Sequence, residues 1–466
     1  MYWTRIITAV FGAGTVLVLY LVGKKLFNKE VGLFAAFFLS VNYLHVIRSH
    51  FGLPDIYNGF FALVSLYVSV LILEKNTMKR YLLAGFVCGA AFAMKYQVFS
   101  LIPFIIAHCV WTIRQKNIWY FFHKNAFYAA FVFVATFLIM NPYYLFNIEN
   151  AIRMNRQDIL RYRIGILEFQ PYSYFYLYNW GIGKLPSLMV ILGIVAVLFR
   201  STFSFFLVFP FAFVFMFFMT YYSQGGIFPR NFATVMPYLM LFAGYGMYTL
   251  LRLFKNYKHT LTVKVLVVIL IVGINGSSIK NSLILDKYYS KPWNETELGE
   301  WLRDKLPANT VVRNYQLFLH TVGGLAIQDK NIILKDWNYS KGPNSLAEFQ
   351  KEGGDFAILN TNPYQSITYW WRGYPKLYMG KDNVPFDFIE NGFYGLTIRE
   401  FLNYTVFESY KPWQAHYNDN YLVFKVPPKP ENIGKRVAYF GFDKSKQDIK
   451  IVGNFGFNPL SFSWDE

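Results

Sequence analysis

Apolar residues fall in long runs over the first 280 positions, at about 5–23, 31–50, 56–74, 81–94, 97–113, 126–146, 178–199, 203–222, 232–252 and 263–280. A helix needs about 20 apolar residues to cross a hydrocarbon layer of roughly 30 Å, so most of these runs predict membrane-crossing helices. From residue 281 onward the pattern changes. Short β-rich runs (TVVRNYQLFL, NIILKDW, DFAILN and NYLVFKV) alternate with polar stretches. NETELGEWLRDKL reads as a helix with Asn294 as its cap and acidic residues in its first turn. The pattern therefore predicts a polytopic α-helical membrane domain over 1–280 and an α/β domain over 281–466.

Composition sharpens the first half of this picture. The chain is 55% hydrophobic and 15% charged, where soluble proteins carry about 25% charged residues. A net charge of +18 would suit a nucleic-acid binder, but many of the cations sit in short clusters between apolar runs, as membrane topology requires. With Met1 outside the cytoplasm, Lys24, Lys25 and Lys29, then Lys75, Lys79 and Arg80, then Arg114, Lys116 and Lys124, then Arg200 and Arg252 all fall in inner loops. The domain after 280 is then extracytoplasmic. The first run is read as a retained span, because it is too long for a signal peptide and no small-residue cleavage site follows. Cys88 and Cys109 lie in apolar runs and form no metal motif. Asn-x-Ser/Thr sequons occur at Asn275, Asn294, Asn338 and Asn403.

Polar residues at the outer rim of the spans are the candidates for chemistry, since ionisable groups beside a membrane are costly. HVIRSHFGLPD brings His45, Arg48, His50 and Asp55 within eleven residues. Such a group would hold a phosphate or a divalent metal. The plainer reading makes Asp55 the N-cap of the next span, lets Arg48 snorkel, and leaves both histidines to lipid headgroups. Lys95 separates two short runs, predicting a helical hairpin with the lysine at its apex. Gly85, Gly89, Ala90, Ala91 and Ala93 would allow its helices close contact. Arg230 opens a span in PRNFATVMPYLMLF. The outer loop 147–177 carries Arg153, Arg156, Asp158, Arg161, Arg163 and Glu168. Either its arginines hold an anion or the loop is an amphipathic helix on the membrane surface. Several cations and a carboxylate at one face suit a lipid-phosphate donor: cations neutralise the leaving phosphate and a carboxylate accepts a proton.

Four stretches carry a resemblance. They are RIITAVFGAGTVLVLYLVGKKLFNKEVGLFAAFFLSVNYLHVIRSHFGLPD, LLAGFVCGAAFAMKYQVFSLIPF, NPYYLFN and PRNFATVMPYLMLFAGYG, followed by KPWNETELGEWLRDKLPANT. In order and spacing they resemble the polyprenyl-phosphate-sugar-dependent glycosyltransferases of the GT-C type, which include protein O-mannosyltransferase-like and lipid A aminoarabinose transferases. The resemblance implies inverting transfer of a sugar from a polyprenyl phosphate at the outer or luminal face. It implies Asp55 as the site carboxylate, with Lys95 and Arg230 as donor-phosphate ligands. Arg48 and His50 stand beside them, and Asp158 and Glu168 are alternative acids. Family members begin with a further span and an outer loop bearing their main base. Here the resemblance starts at the family's second span, so the expectation is an N-terminally incomplete copy or a short form. Two other classes compete: an inactive subunit that binds lipid-linked sugar, and a transporter or flippase. A transporter usually shows an internal repeat, and none is visible.

Overall fold

The computed structural model describes residues 2–162, 174, 177–222, 229–252, 261–289, 303–304, 308–314, 333–336, 356–360, 421–425 and 436–440. The chain divides into two compact units, Met1–Leu285 and Asp286–Glu466.

The first unit is helical. It begins with α1 (Tyr2–Leu26), α2 (Lys29–Ser40), α3 (Tyr43–Ser49), α4 (Pro54–Glu74), α5 (Met78–Lys95), α6 (Leu101–Arg114) and α7 (Lys124–Met140). Then come α8 (Tyr143–Phe146), α9 (Ile148–Tyr162), α10 (Lys184–Arg200), α11 (Thr202–Phe217), α12 (Met236–Arg252) and α13 (Leu261–Ile274), and α14 (Gly276–Tyr289) carries the chain across the boundary between the units. Among the described residues, Trp3–Leu26, Pro54–Glu74, Ile118–Met140 and Thr202–Tyr221 are long and apolar enough to cross a membrane individually. The unit is that of an integral, multi-pass membrane protein.

The run at 31–50 is not one straight span. It breaks between α2 and α3 with a bend of 62°. The cause is Asn42, whose side-chain oxygen accepts from His45 N at 3.0 Å and so starts a new helix. Its amide donates 2.8 Å to the Gly181 carbonyl, tying the bend to a π-helical turn at Leu177–Gly181. A side chain that competes with backbone hydrogen bonding outweighs apolar periodicity here. The run at 263–280 also divides, at Asn275, which is buried and donates to the Ile271 carbonyl at 2.9 Å. The sequons at Asn294, Asn338 and Asn403, and the helix expected at 294–306 apart from Arg303 and Asp304, lie outside the described residues.

α12 is apolar on every side and is buried along nearly its whole length, so it forms the centre of the unit. It packs on α2 and α10. At the α10 crossing, a Cβ on Gly193 would strike the Phe242 backbone and one on Gly246 the Met189 carbonyl, so only glycine allows this approach. The small residues of α5 work the same way, but against a different partner from the one expected. Gly85 and Gly89 face the backbone of α7 at Ala129 and Phe133. α6 instead packs on α4 and α11. Outward rows such as Phe127, Phe131 and Val134 on α7, or Leu188, Ile191, Val195 and Phe199 on α10, are exposed and apolar, as a lipid-facing surface requires.

The basic loops gather at one end of this bundle. Lys25 pairs with Glu74 at 2.8 Å, Arg80 donates to the carbonyls of Leu71 and Lys75, and Arg114 donates to Leu73 O at 3.4 Å. The turns after α3 and α5 lie at the opposite end.

In the second unit the described residues form one mixed sheet of β1 (Val311–Asn314), β2 (Ile333–Asp336), β3 (Phe356–Asn360), β4 (Tyr421–Lys425) and β5 (Arg436–Phe440), in the order β2-β1-β3-β4-β5. β1 is parallel to β2 and β3, while β4 is antiparallel to β3 and β5. The first four strands fall within the β-rich runs of the sequence, and RVAYF adds the fifth.

Candidate functional site

Three distant stretches meet at the end of the bundle opposite the basic loops. Pro54 stands at the first position of α4, where its fixed φ suits a helix start and its missing N–H costs nothing. Asp55 follows inside the first turn. It is not the cap: Leu53 holds that position and no side chain caps the helix. The Asp55 side chain, 3% exposed, points to Lys95, which donates from Nζ to Oδ1 at 2.5 Å. The positive end of the α4 dipole favours the carboxylate as well.

Lys95 is the last residue of α5. Tyr96 then turns the chain in the left-handed region (φ 50°). The last turn of α5 is held from both sides. Asn58, one turn along α4 from Asp55, donates to Ala91 O at 2.8 Å. Asn141, just past α7, donates to Ala93 O at 3.3 Å. The ammonium is thereby fixed within reach of a second acceptor, Asn231 Oδ1, at 3.0 Å. Asn231 is 2% exposed and sits in a 3₁₀ turn, Pro229–Thr234, that leads into α12. Thr234 donates to the Asp55 carbonyl at 3.5 Å and Tyr238 to the Ala62 carbonyl at 2.8 Å, docking this segment along α4. Gly59 lets the two backbones come close.

Asp55, Lys95 and Asn231 thus form a buried triad. Among the described residues Lys95 has these two acceptors, so one of its three N–H donors remains for a ligand. Its side chain is 14% exposed, which leaves a path to it. Arg230 precedes Asn231 and is partly buried. Arg48 lies over the Phe51 ring at 5.6 Å, and its buried Nε has no hydrogen-bond partner among the described residues. His50 donates from Nδ1 to Val46 O at 2.8 Å. His45 does not reach lipid headgroups: it is buried and bonds from Nε2 to Gly12 O of α1 at 3.1 Å. Among the described residues no three His, Cys, Asp or Glu side chains come together as metal ligands.

α9 is an amphipathic helix on which Arg153 and Arg156 are exposed. The side chains of Asp158 and Arg161, and all of Arg163 and Glu168, lie outside the described residues. Sequence reasoning missed Asn231 and Asn58. Both are uncharged, and a search weighted toward charge passes over amides. Their signal was position: Asn231 directly follows Arg230, and Asn58 lies three residues after Asp55.

Comparison with known proteins adds three findings. Residues 3–144 match the family model "Dolichyl-phosphate-mannose-protein mannosyltransferase". A stretch of 108 residues is 34% identical to dolichyl-phosphooligosaccharide-protein glycotransferase 2 of Pyrococcus furiosus, covering 22% of this chain and 14% of that relative's length. Among solved structures, ArnT from Cupriavidus metallidurans in the apo state matches with a TM-score of 0.50 and 13% identity over 78% of this chain and 79% of its own. The same enzyme bound to undecaprenyl phosphate gives 0.49 and 12%, over 78% and 80%. The apo comparison concerns the fold, and the family match concerns the N-terminal third. Together they bear out the resemblance to GT-C type polyprenyl-phosphate-sugar glycosyltransferases.

Proposed function

We propose that this protein transfers a sugar from a polyprenyl-phosphate carrier to an acceptor at the membrane face that holds Asp55, Lys95 and Asn231. The observation that carries the reading is the triad itself: a buried carboxylate and ammonium, assembled from three distant stretches at the rim of a membrane bundle, with one ammonium donor to spare among the described residues. The matched family's description names a dolichyl-phosphate sugar, and ArnT has been solved with undecaprenyl phosphate bound. The family's description agrees with a lipid-phosphate donor for this chain.

In the proposed reaction the donor phosphate draws the Lys95 ammonium, with Arg230 as second cation. Partial transfer of that ammonium frees a carboxylate oxygen of Asp55 for the acceptor. The acceptor oxygen then forms a bond to the anomeric carbon as the carbon–oxygen bond to phosphate breaks. The bonding pair leaves on the phosphate oxygen, neutralised by Lys95 and Arg230. Asp55 takes the acceptor proton. A single displacement of this kind inverts the anomeric centre. Asn231 keeps Lys95 directed at the phosphate, and Arg48 and His50 border the site. We place this face on the outer or luminal side, with the second unit extracytoplasmic, because the basic loops occupy the opposite end. The acceptor would be a protein, a lipid-linked glycan or a cell-wall polymer.

The test uses the full chain in vesicles with a polyprenyl-phosphate sugar and panels of peptide and glycan acceptors. Asp55→Asn is expected to lower turnover by about 100-fold or more, the usual range for a general base. Lys95→Ala is expected to abolish saturable donor binding. Unchanged transfer in both variants would overturn the assignment.

A further inference from the structure

The link between α6 and α7, RQKNIWYFFHKN, is an unusual loop for the basic end of the bundle. Five consecutive residues, Ile118 to Phe122, are apolar or aromatic, and all are exposed. Trp119 is 74% exposed and Phe122 59%. Apolar exposure at the end of a membrane-crossing segment marks a surface that meets lipid. It is not a slack loop. Lys116 turns the chain at φ 54°, Asn117 caps the 3₁₀ turn by accepting from Trp119 N at 2.9 Å, and His108 of α6 bonds to Phe121 O at 3.0 Å. Trp111 packs edge-on to Tyr120 at 5.5 Å and to His123 at 5.2 Å from beneath. Trp119 and Phe122 are therefore held outward by a built support. Exposed cations flank them: Arg114 and Lys116 before, Lys124 after.

We propose that this turn is a docking site for anionic phospholipid headgroups, with Trp119 and Phe122 inserted at the depth of the glycerol backbone. Charge complementarity selects this occupant: cations on both sides of the aromatic ridge face the layer where lipid phosphates lie. The Trp119 indole prefers that interface, the Phe122 phenyl ring buries at the headgroup boundary beside it, and polybasic segments draw anionic lipid there. The turn forms the first five residues of the membrane-crossing segment Ile118–Met140, so its rings stand at the bilayer edge by continuity of the chain. Its consequence is a fixed depth for the bundle, set at the end opposite the triad.

The experiment attaches a nitroxide to the cysteine introduced by Trp119→Cys, in a full chain that also carries Cys88→Ala and Cys109→Ala. The chain is reconstituted in phosphatidylcholine vesicles with and without phosphatidylglycerol. Accessibility to oxygen over a water-soluble nickel chelate is expected, at shallow depth. Native mass spectrometry of the unlabelled chain is expected to show retained phosphatidylglycerol, reduced about tenfold in Lys116→Gln/Lys124→Gln. Melting temperature confirms that this variant folds. A label introduced through Tyr120→Cys gives a second reading if the first variant does not fold. A label open to the nickel chelate would overturn the proposal in favour of a water-facing surface for a protein partner. Dipolar broadening between labels would overturn it in favour of a second copy of the chain. Equal lipid retention in the charge variant would remove the headgroup assignment.

Discussion

At the scale of single residues, the Asp55–Lys95 ion pair is a structural contact to which we also assign the proposed chemistry, and mutation separates the two roles. Both side chains are largely out of water. Removing one partner strands the other charge, at a cost of about 3 kcal/mol. Lys95→Met alone is therefore expected to lower the melting temperature, while Asp55→Leu/Lys95→Met recovers part of the loss and shows no transfer. Thermal unfolding in one detergent, measured beside donor turnover, checks both. If the double variant is less stable than either single, the pair is not what holds this corner. The Lys25–Glu74 pair offers a contrast. Its side chains are 29% and 47% exposed, and Glu74→Gln should change stability by less than about 1 kcal/mol. Asn231→Ala removes a neutral acceptor from the ammonium. It is expected to raise the donor KM more than it lowers kcat, with Asn231→Asp restoring the contact.

At the scale of elements, the bend after α2 and the glycine crossings decide where the site sits. Asn42 both caps α3 and holds Gly181 O, so Asn42→Leu should cost about 2 kcal/mol from the lost cap and the stranded carbonyl. Because α3 leads directly to Pro54 and Asp55, the same change should lower transfer. A normal donor KM in a stable Asn42→Leu protein would argue that α3 and the triad are independent. Gly193→Leu is expected to be more severe, since a side chain there meets the Phe242 backbone. Overpacking costs about 1–3 kcal/mol where neighbours can shift, and a backbone carbonyl shifts least. Loss of folded protein on size-exclusion chromatography is the expected result.

At the scale of the whole molecule, the first unit has a basic end and an end carrying the triad, and the distribution of cations predicts opposite sides of the bilayer for them. With Cys88 and Cys109 replaced, the single variants Lys75→Cys and Asn141→Cys should react with a membrane-impermeant maleimide from opposite sides of oriented vesicles. Labelling of both from one side would sink the orientation and, with it, the outer location of the proposed reaction.

Much of this was legible in the order of residues. Long apolar runs determine a multi-pass helical protein because unpaired backbone polar groups are too costly in lipid. The punctuation of those runs by His, Arg, Asp and Lys pointed to Asp55, Lys95 and Arg230, since charge near a bilayer stands out against its background. What the sequence left open depends on which surfaces meet. Periodicity is blind to a single asparagine that diverts the backbone, so Asn42 broke a span that reads as continuous. Small residues announce a close crossing without naming the partner, and α5 meets α7 rather than α6. The position of Asp55 next to proline suggested a cap, but tertiary packing set Lys95 against its carboxylate. Asn231, 136 positions beyond Lys95, joins the triad only because α12 runs through the centre of the bundle and its leading turn docks on α4. Charge is a property of a residue and is written in the sequence. The pairing of a charge is a property of space, and it took the fold to bring Asp55, Lys95 and Asn231 together.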